Sequence, residues 1–377
     1  MTKKVDLNEN TIDFFTICIC TYKRPHLLKL LLDDISNQSV QPDCVIIVDG
    51  YPKSGEVLQS LTERKFHSRW RVFYIPSNHG NLSYQRYLGW RTAKLYGSDI
   101  LLYLDDDLRI FQTDAVEKTL APIIVKTGDV CGVTGIIDFG DHAKFGKNEV
   151  LADRVQISKG KRLLLVRWLG ASRRESPGGL SPSGHRLIPV DHGREYEFVE
   201  WLRGGVMAYK MNALTQGCFS EDLFALDHIR CGLGEDTFLS RRVGIKGALL
   251  MAFGAHFQHP HDDLPQAYPT QAFKFGHATA YSRRLLNDNY RGFDPPQFSD
   301  RLALVKSYLG TSCLNWWRAL AAPKKHRFAY AWGYTLGAFR GLIQKPTASN
   351  LTPHISWWQD ADEALRHTII IQEGSDG

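Results

Sequence analysis

The stretch Ile100-Leu-Leu-Tyr-Leu-Asp-Asp-Asp-Leu108 runs five largely apolar residues straight into three consecutive carboxylates. A short apolar run bounded by polar residues predicts a strand buried on both faces of a parallel sheet. In open α/β sheets, ligands bind in the crevice beyond the carboxyl ends of the strands. Asp105, Asp106 and Asp107 would stand at such an end. Three adjoining like charges repel, so the run calls for a compensating cation. A hard divalent ion, held by one or two carboxylates and completed by phosphate oxygens and water, would supply it. A solvated acidic turn would read the same way, and the rest of the chain has to decide.

Upstream, Phe14-Phe-Thr-Ile-Cys-Ile-Cys20 predicts a first buried strand, with Thr21-Tyr-Lys-Arg at its end and Pro25 opening a helix. Proline suits a first helical turn, where its missing N–H costs nothing. Leu27, Leu28, Leu31, Leu32 and Ile35 give that helix an apolar stripe. Cys44–Val48 predicts a second strand ending at Asp49-Gly50, Trp70–Ile75 a third, and Leu82–Tyr96 the helix that leads into the Asp-rich strand. Strands alternating with helices predict a doubly wound, mostly parallel sheet with right-handed crossovers. Thr21, Asp49 and Asp105–Asp107 then share one rim. No Gly-x-Gly-x-x-Gly and no Gly-Lys-Ser/Thr loop follows the first strand, which argues against a dinucleotide site or a P-loop.

Downstream, Gln112–Lys126 reads as a helix and Val130–Ile137 as a strand. Asp138 to about Glu195 reads as a long loop containing the Ser176–Gly184 cluster of Gly, Pro and Ser. Phe198–Tyr209 reads as one strand, with Gly204-Gly205 where a ligand or another backbone comes close. Gly232-Leu-Gly-Glu-Asp236 puts Glu235 and Asp236 at a helix start, where carboxylates also complement the helix dipole. Ala248–Phe253 reads as a last short strand, followed by His256, His259 and His261. From about Pro265 aromatics and basic residues interleave, notably Lys324–Arg327 ahead of an apolar run ending at Arg340. That pattern fits helices packed on the main domain and equally an interfacial surface. The expected organisation is therefore residues 1–264 as the catalytic domain and 265–377 as a helical extension.

Composition narrows the function. Hydrophobic content of 43%, charged content of 23% and a net charge of +6 are those of an ordinary globular protein; the mild basicity does not indicate nucleic acid. The N-terminal Met1–Asn8 has lysines without an apolar core behind them, which predicts no secretory signal. Seven scattered cysteines without a Cys-x-x-Cys pair predict a reducing, cytoplasmic compartment with neither disulfides nor a zinc site.

Taken in order, these elements resemble the inverting, nucleotide-sugar-dependent glycosyltransferases of family 2, which have the GT-A fold. The resemblance spans roughly residues 14–262. It rests on Thr21–Pro25, Asp49, Leu82–Gly89, Asp105–Asp107, Trp201–Gly205, Gly234–Asp236 and a late histidine. It implies that Asp49 reads the donor base, with Thr21 and Arg24 beside it, and that Arg86 lies near the nucleotide, although Tyr87 stands where many relatives have Asn. It also implies that Asp105 and Asp107 are the ends of the metal motif, with Asp107 the direct ligand and Asp106 among the nucleotide-sugar contacts. Trp201, Gly204 and Gly205 would line the donor and acceptor. Asp236 would be the catalytic base with Glu235 beside it, and His259 a metal or phosphate contact in competition with His256 and His261. The implied cofactor is Mn2+ or Mg2+. The implied partners are a nucleoside-diphosphate sugar and a glycan or lipid-linked hydroxyl, in polysaccharide or glycolipid synthesis; the Lys324–Arg340 pattern itself adds an expected peripheral contact at the inner membrane face. Two alternatives compete: a sugar-phosphate nucleotidyltransferase, which should carry a Gly-rich loop where Cys20–Pro25 has none, and an inactive nucleotide-sugar-binding protein, which would not need both acidic centres.

Overall fold

The computed structural model describes residues 14–64, 70–125, 129–138, 178–186, 189, 193–260 and 268–371. Most of the loop expected between Asp138 and Glu195, together with His261 and the Met1–Asn8 segment, lies outside the described residues. Among the described residues nine strands form one sheet. They are β1 (Phe15–Thr21), β2 (Cys44–Asp49), β3 (Arg71–Pro76), β4 (Ile100–Asp105), β5 (Val130–Asp138), β6 (Tyr196–Val199), β7 (Val206–Lys210), β8 (Ala248–Gln258) and β9 (Ile369–Ile371). Their spatial order is β6-β8-β5-β7-β4-β1-β2-β3-β9.

The parallel heart is β3-β2-β1-β4, with strands consecutive in the chain joined through a helix. Helix α1 (Pro25–Ser36), α2 (Glu56–Thr62) and α3 (Leu82–Leu95) make these crossovers. All seven residues of β1 and all six of β2 are buried, which explains their continuous apolar character: strands covered on both faces have no solvent side to mark with alternating polar residues. Each fully buried Ile, Val or Leu contributes roughly 1.5–3 kcal/mol. Burial thus holds these strands in the core, and their register places Thr21 opposite Asp49 and Cys20 opposite Asp105.

Two segments differ from the sequence reading. Phe198–Tyr209 is not one strand: β6 sits at the sheet edge against β8, whereas β7 lies between β4 and β5, antiparallel to both. The chain breaks at Arg203–Val206, where the Val206 N–H donates to the Arg203 carbonyl, and crosses under the rim. Strand β8 runs five residues past Phe253. An irregularity opposite Gly135/Ile136 interrupts its pairing with β5, which then resumes at His256.

Helix α4 (Ala115–Ile124) precedes β5, and α5 (Glu221–His228) and α6 (Glu235–Val243) precede β8. Beyond the sheet, α7 (Pro269–Asp288), α8 (Phe298–Ala321) and α9 (Lys325–Ile343) form a helical layer. The chain then returns through α10 (Trp357–Arg366), and β9 closes the edge against β3 in antiparallel pairing. Among the described residues no helix is long and apolar enough to cross a membrane.

Candidate active site

The end of β4 delivers three consecutive carboxylates in three directions. Asp106 turns inward: Thr21 Oγ1 donates to its Oδ2 at 2.7 Å, and Arg24 to its Oδ1 at 3.2 Å. Asp107 takes the other Arg24 bond at 2.6 Å on Oδ2, while its Oδ1 lies 3.1 Å from His259 Nε2. Asp105 turns the opposite way, to Arg86 at 3.1 Å. The extended β8 carries His259 to this rim, where its N–H donates to the Asp138 carbonyl. His256 stays on exposed strand surface, with its N–H on Gln112.

Their electrostatics diverge accordingly. Burial raises Asp105, against the pull of the Arg86 charge. Burial pushes Asp106 up to about 6, opposed by the Thr21 hydroxyl. For Asp107 burial also favours the neutral form, but the His259 bond and the charges of His259 and Arg24 outweigh it and hold the carboxyl below its usual range. Burial would lower the His259 imidazole, and the Asp107 carboxylate reverses that and raises it. An anionic Asp107 and, once it gives up its proton, the His259 imidazole are donors of the kind divalent ions accept. Among the described residues no group of three or more His, Cys, Asp and Glu is placed so as to hold a metal ion. A divalent ion that keeps water and substrate phosphate in its shell does not require such a group.

Helix α3 supplies the centre. Its Arg86 side chain is only 3% exposed and donates to Glu235 Oε1 at 2.8 Å, Asp105 Oδ1 at 3.1 Å and the Gly204 carbonyl at 2.8 Å. Burial opposes the guanidinium charge, yet Glu235 and Asp105 keep it firmly protonated. Arg86 thus ties β4, the Arg203–Val206 crossing and the start of α6 into one unit. In the sequence it read as a nucleotide contact; in the structure it is the strut between two acidic centres.

The second acidic centre opens α6. Gly234 adopts φ +91°, a left-handed conformation that glycine enters without steric cost, and turns Glu235 and Asp236 toward the rim. Asp236 Oδ2 accepts from Gly204 N–H at 3.1 Å and from Arg186 at 2.7 Å, and its Oδ1 accepts from Thr237 N–H at 2.7 Å. Arg186 also lies over the buried Trp201 ring, 5.3 Å from its centroid. A Cβ on Gly204 would come 3.3 Å from Asp236 Oδ2, so the bare backbone is what lets that carboxylate approach. Burial, then the neighbouring Asp236 charge, raises Glu235 although Arg86 opposes it. One guanidinium cannot fully compensate Glu235 and Asp105 together.

A cavity of about 320 Å³ opens beside these groups, lined by Tyr22, Arg24, Gln85, Asp105–Asp107, Asp227 and Arg230 among others. Asp49 is fully buried, with Tyr51 N–H on one oxygen at 2.8 Å and the Tyr74 hydroxyl on the other at 2.9 Å. Its position on the rim agrees with the sequence reading, but its carboxylate is engaged inside the protein. Sequence reasoning passed over Gln85, Asp227, Arg230 and Arg186. Gln85 bonds the carbonyls of Thr21 and Val48 and so fixes the two strand ends. Asp227 caps α3 through Ser83 N–H, and Arg230 sits over the Tyr22 ring. The first three carry no motif; Arg186 lies in the Gly/Pro/Ser-rich loop and reaches Asp236 only through the fold.

A family model described as "Glycosyl transferase family 2" matches residues 16–173. Over that region, under half of its length, the chain is similar to glycosyl transferase family 2. The match takes in β1 to β5 with Asp49, Arg86 and Asp105–Asp107, and ends before Trp201, Glu235, Asp236 and His259. No curated protein matches the chain in sequence. Among solved structures the chain is similar to the mannosyltransferase PcManGT from Pyrobaculum calidifontis in complex with GDP-Man and Mn2+, at 13% identity, covering 88% of this chain and 87% of that one with a TM-score of 0.45. It is also similar to S. aureus TarS 1-349 in complex with UDP-GlcNAc (12%, 86% and 90%, 0.40). A third is glucosyl-3-phosphoglycerate synthase from Mycobacterium tuberculosis with Mn2+, UDP-glucose and phosphoglyceric acid (14%, 73% and 79%, 0.38).

Proposed function

We propose that the protein moves a sugar from a nucleoside-diphosphate donor to a hydroxyl acceptor with inversion at the anomeric carbon. The observation that carries this reading is the Arg86 strut, which holds two acidic centres with different surroundings on one rim. The centre at β4 adjoins the cavity and has the half-exposed Arg24 as a counterion that can turn to phosphate. Asp107 and His259 would hold a divalent cation there, with Asp105 beside them. When bound, such an ion stabilises the departing diphosphate as a Lewis acid. Tyr22 and Arg230 would contact the nucleoside, and Gln85 keeps the strand ends in place.

The centre at α6 handles the acceptor. Asp236 would take the hydroxyl proton, with Arg186 and the Gly204 N–H fixing its orientation and Glu235 ordering the turn. Attack opposite the diphosphate inverts the carbon and needs no protein nucleophile, which suits a rim offering carboxylates in separate roles. The seven free cysteines favour a reducing compartment, so we place the reaction in the cytoplasm and take a glycan or lipid-linked hydroxyl as the acceptor.

The test begins with thermal stabilisation by a panel of nucleotide sugars, with and without Mn2+. Stabilisation by none of them would remove the reading. Single-turnover transfer by Asp236→Asn then addresses the base: the rate should fall about 10²–10⁴-fold, while donor stabilisation persists. Near-normal transfer would reject Asp236 and turn attention to Glu235.

A further inference from the structure

Helix α9 is apolar on the wrong side for a helix at a water-exposed surface. Its inward face is small: a Cβ at Gly333 or Gly337 would collide with the backbone carbonyls of Phe273 or His277 on α7, and Ala331 and Ala338 are buried beside them. Its outward face carries Trp332, Leu336, Phe339 and Ile343, which are 50%, 37%, 59% and 69% exposed. Those positions recur every three or four residues and so form one stripe. Surface helices of globular proteins put polar side chains there.

Helix α8 repeats the pattern with Leu302, Leu309, Trp317 and Leu320 exposed along one face. Trp316 joins the two stripes: its ring centroid lies 6.3 Å from that of Trp332, and its Nε1 donates to Thr335 at 3.1 Å. Past Asp300 the charge carried by these two helices has one sign. From Arg301 to Pro346 the chain has no Asp or Glu, while Lys306, Lys324, Lys325 and Lys345 are exposed. Lys306 and Lys325 lie within the stripes themselves, where a long stem can follow the apolar surface and raise its ammonium to a phosphate level.

We propose that the outward face of α8 and α9 docks onto an anionic lipid bilayer, lying in the headgroup layer rather than spanning it. Apolar side chains flanked by lysines at both helix ends are the chemistry such a surface recognises. The layer is also tied to the candidate site. On its inner side Ser307 Oγ of α8 lies 2.8 Å from His185 Nε2, which accepts from Arg283 of α7 at 2.9 Å. The next residue, Arg186, pairs with Asp236. Docking would therefore set the acceptor side of the rim beside the membrane; this last point rests on the transferase reading, whereas docking itself does not.

The test is co-sedimentation of the full chain with vesicles of phosphatidylcholine alone and with phosphatidylglycerol added, and it needs no donor or acceptor. The wild type should pellet with the anionic vesicles. Trp332→Glu/Phe339→Glu should abolish pelleting, and Lys324→Glu/Lys325→Glu should weaken it by at least about fivefold per charge. Both variants should keep the wild-type melting temperature and donor stabilisation. Wild type left in the supernatant, or Trp332→Glu/Phe339→Glu pelleting as wild type does, overturns the proposal. So does a wild-type dimer without vesicles that this variant converts to monomer, since the face would then join two copies of the chain.

Discussion

Arg24 bridges two carboxylates at the end of β4 and Arg86 bridges one there to one at the start of α6, and the two halves of the rim they serve are built on different terms. The Arg86 side chain is 3% exposed and sits among Asp105, Glu235 and the Gly204 carbonyl. The Arg24 side chain is 48% exposed and touches Asp106 and Asp107 from the solvent side. A buried pair holds because removing either partner strands a charge in a poor solvent; an exposed pair is solvated whether or not it forms. One half is a fixed strut and the other a replaceable counterion. On the proposed transferase reading, a site that keeps its shape while admitting a charged donor needs one of each.

The comparison breaks most sharply at Arg86. Arg86→Met should cost about 3–5 kcal/mol of stability, since Asp105 and Glu235 lose their shared buried cation. Urea denaturation followed by circular dichroism reads this directly. Adding Glu235→Gln to the variant should recover part of the loss, because one stranded charge is then gone. A loss under about 1 kcal/mol for the single change would show that the strut is no more than a surface pair.

Next in size is Asp107→Ala, which acts on the replaceable half. The fold should be retained, because the change relieves like-charge repulsion with Asp106. Metal-dependent binding of UDP or GDP should weaken by about 100-fold or more, given that even groups behind a metal ligand are worth 10–100-fold. Calorimetric titration with and without Mn2+ measures it, and an unchanged metal-dependent affinity would take Asp107 out of the ligand set.

How far this contrast was legible in the sequence follows from what fixes each part. The apolar run into Asp105–Asp107 announced a strand end carrying charge, because burial on both faces leaves that mark in composition. The three directions taken by those carboxylates left none: they depend on Arg86, on Thr21 and Arg24, and on His259, which come from three other places in the chain. Strand β8 appeared to end at Phe253 because Gly254 interrupts its apolar pattern. Its resumption at His256 is set by pairing with Ile136–Asp138, a long-range cause with no local signal. The Phe198–Tyr209 segment failed for the opposite reason. Both of its ends are strand-like, and the crossing between them depends on which neighbours each end finds. The apolar face of α9 was visible as aromatic and basic interleaving, but its inward and outward sides were distinguishable only once α7 was in place.

The smallest effect is the one that tests the replaceable role itself. Arg24→Ala removes two ion-pair contacts, yet Asp106 keeps the Thr21 hydroxyl and Asp107 keeps His259. Stability should therefore change by no more than about 1 kcal/mol, against the several expected at Arg86. Binding should move in two opposed directions. Without nucleotide, Arg24 competes with a cation for Asp107 Oδ2, so its removal should tighten Mn2+ binding by up to about fivefold, the equivalent of roughly 1 kcal/mol. With nucleotide present the guanidinium is free to meet a phosphate, and its loss should weaken donor affinity by a comparable factor. Titrating Mn2+ alone, and then donor at saturating Mn2+, separates the two effects. If Mn2+ alone binds more weakly to Arg24→Ala than to the wild type, Arg24 supports the cation site instead of competing for it, and both halves of the rim are then held by fixed struts.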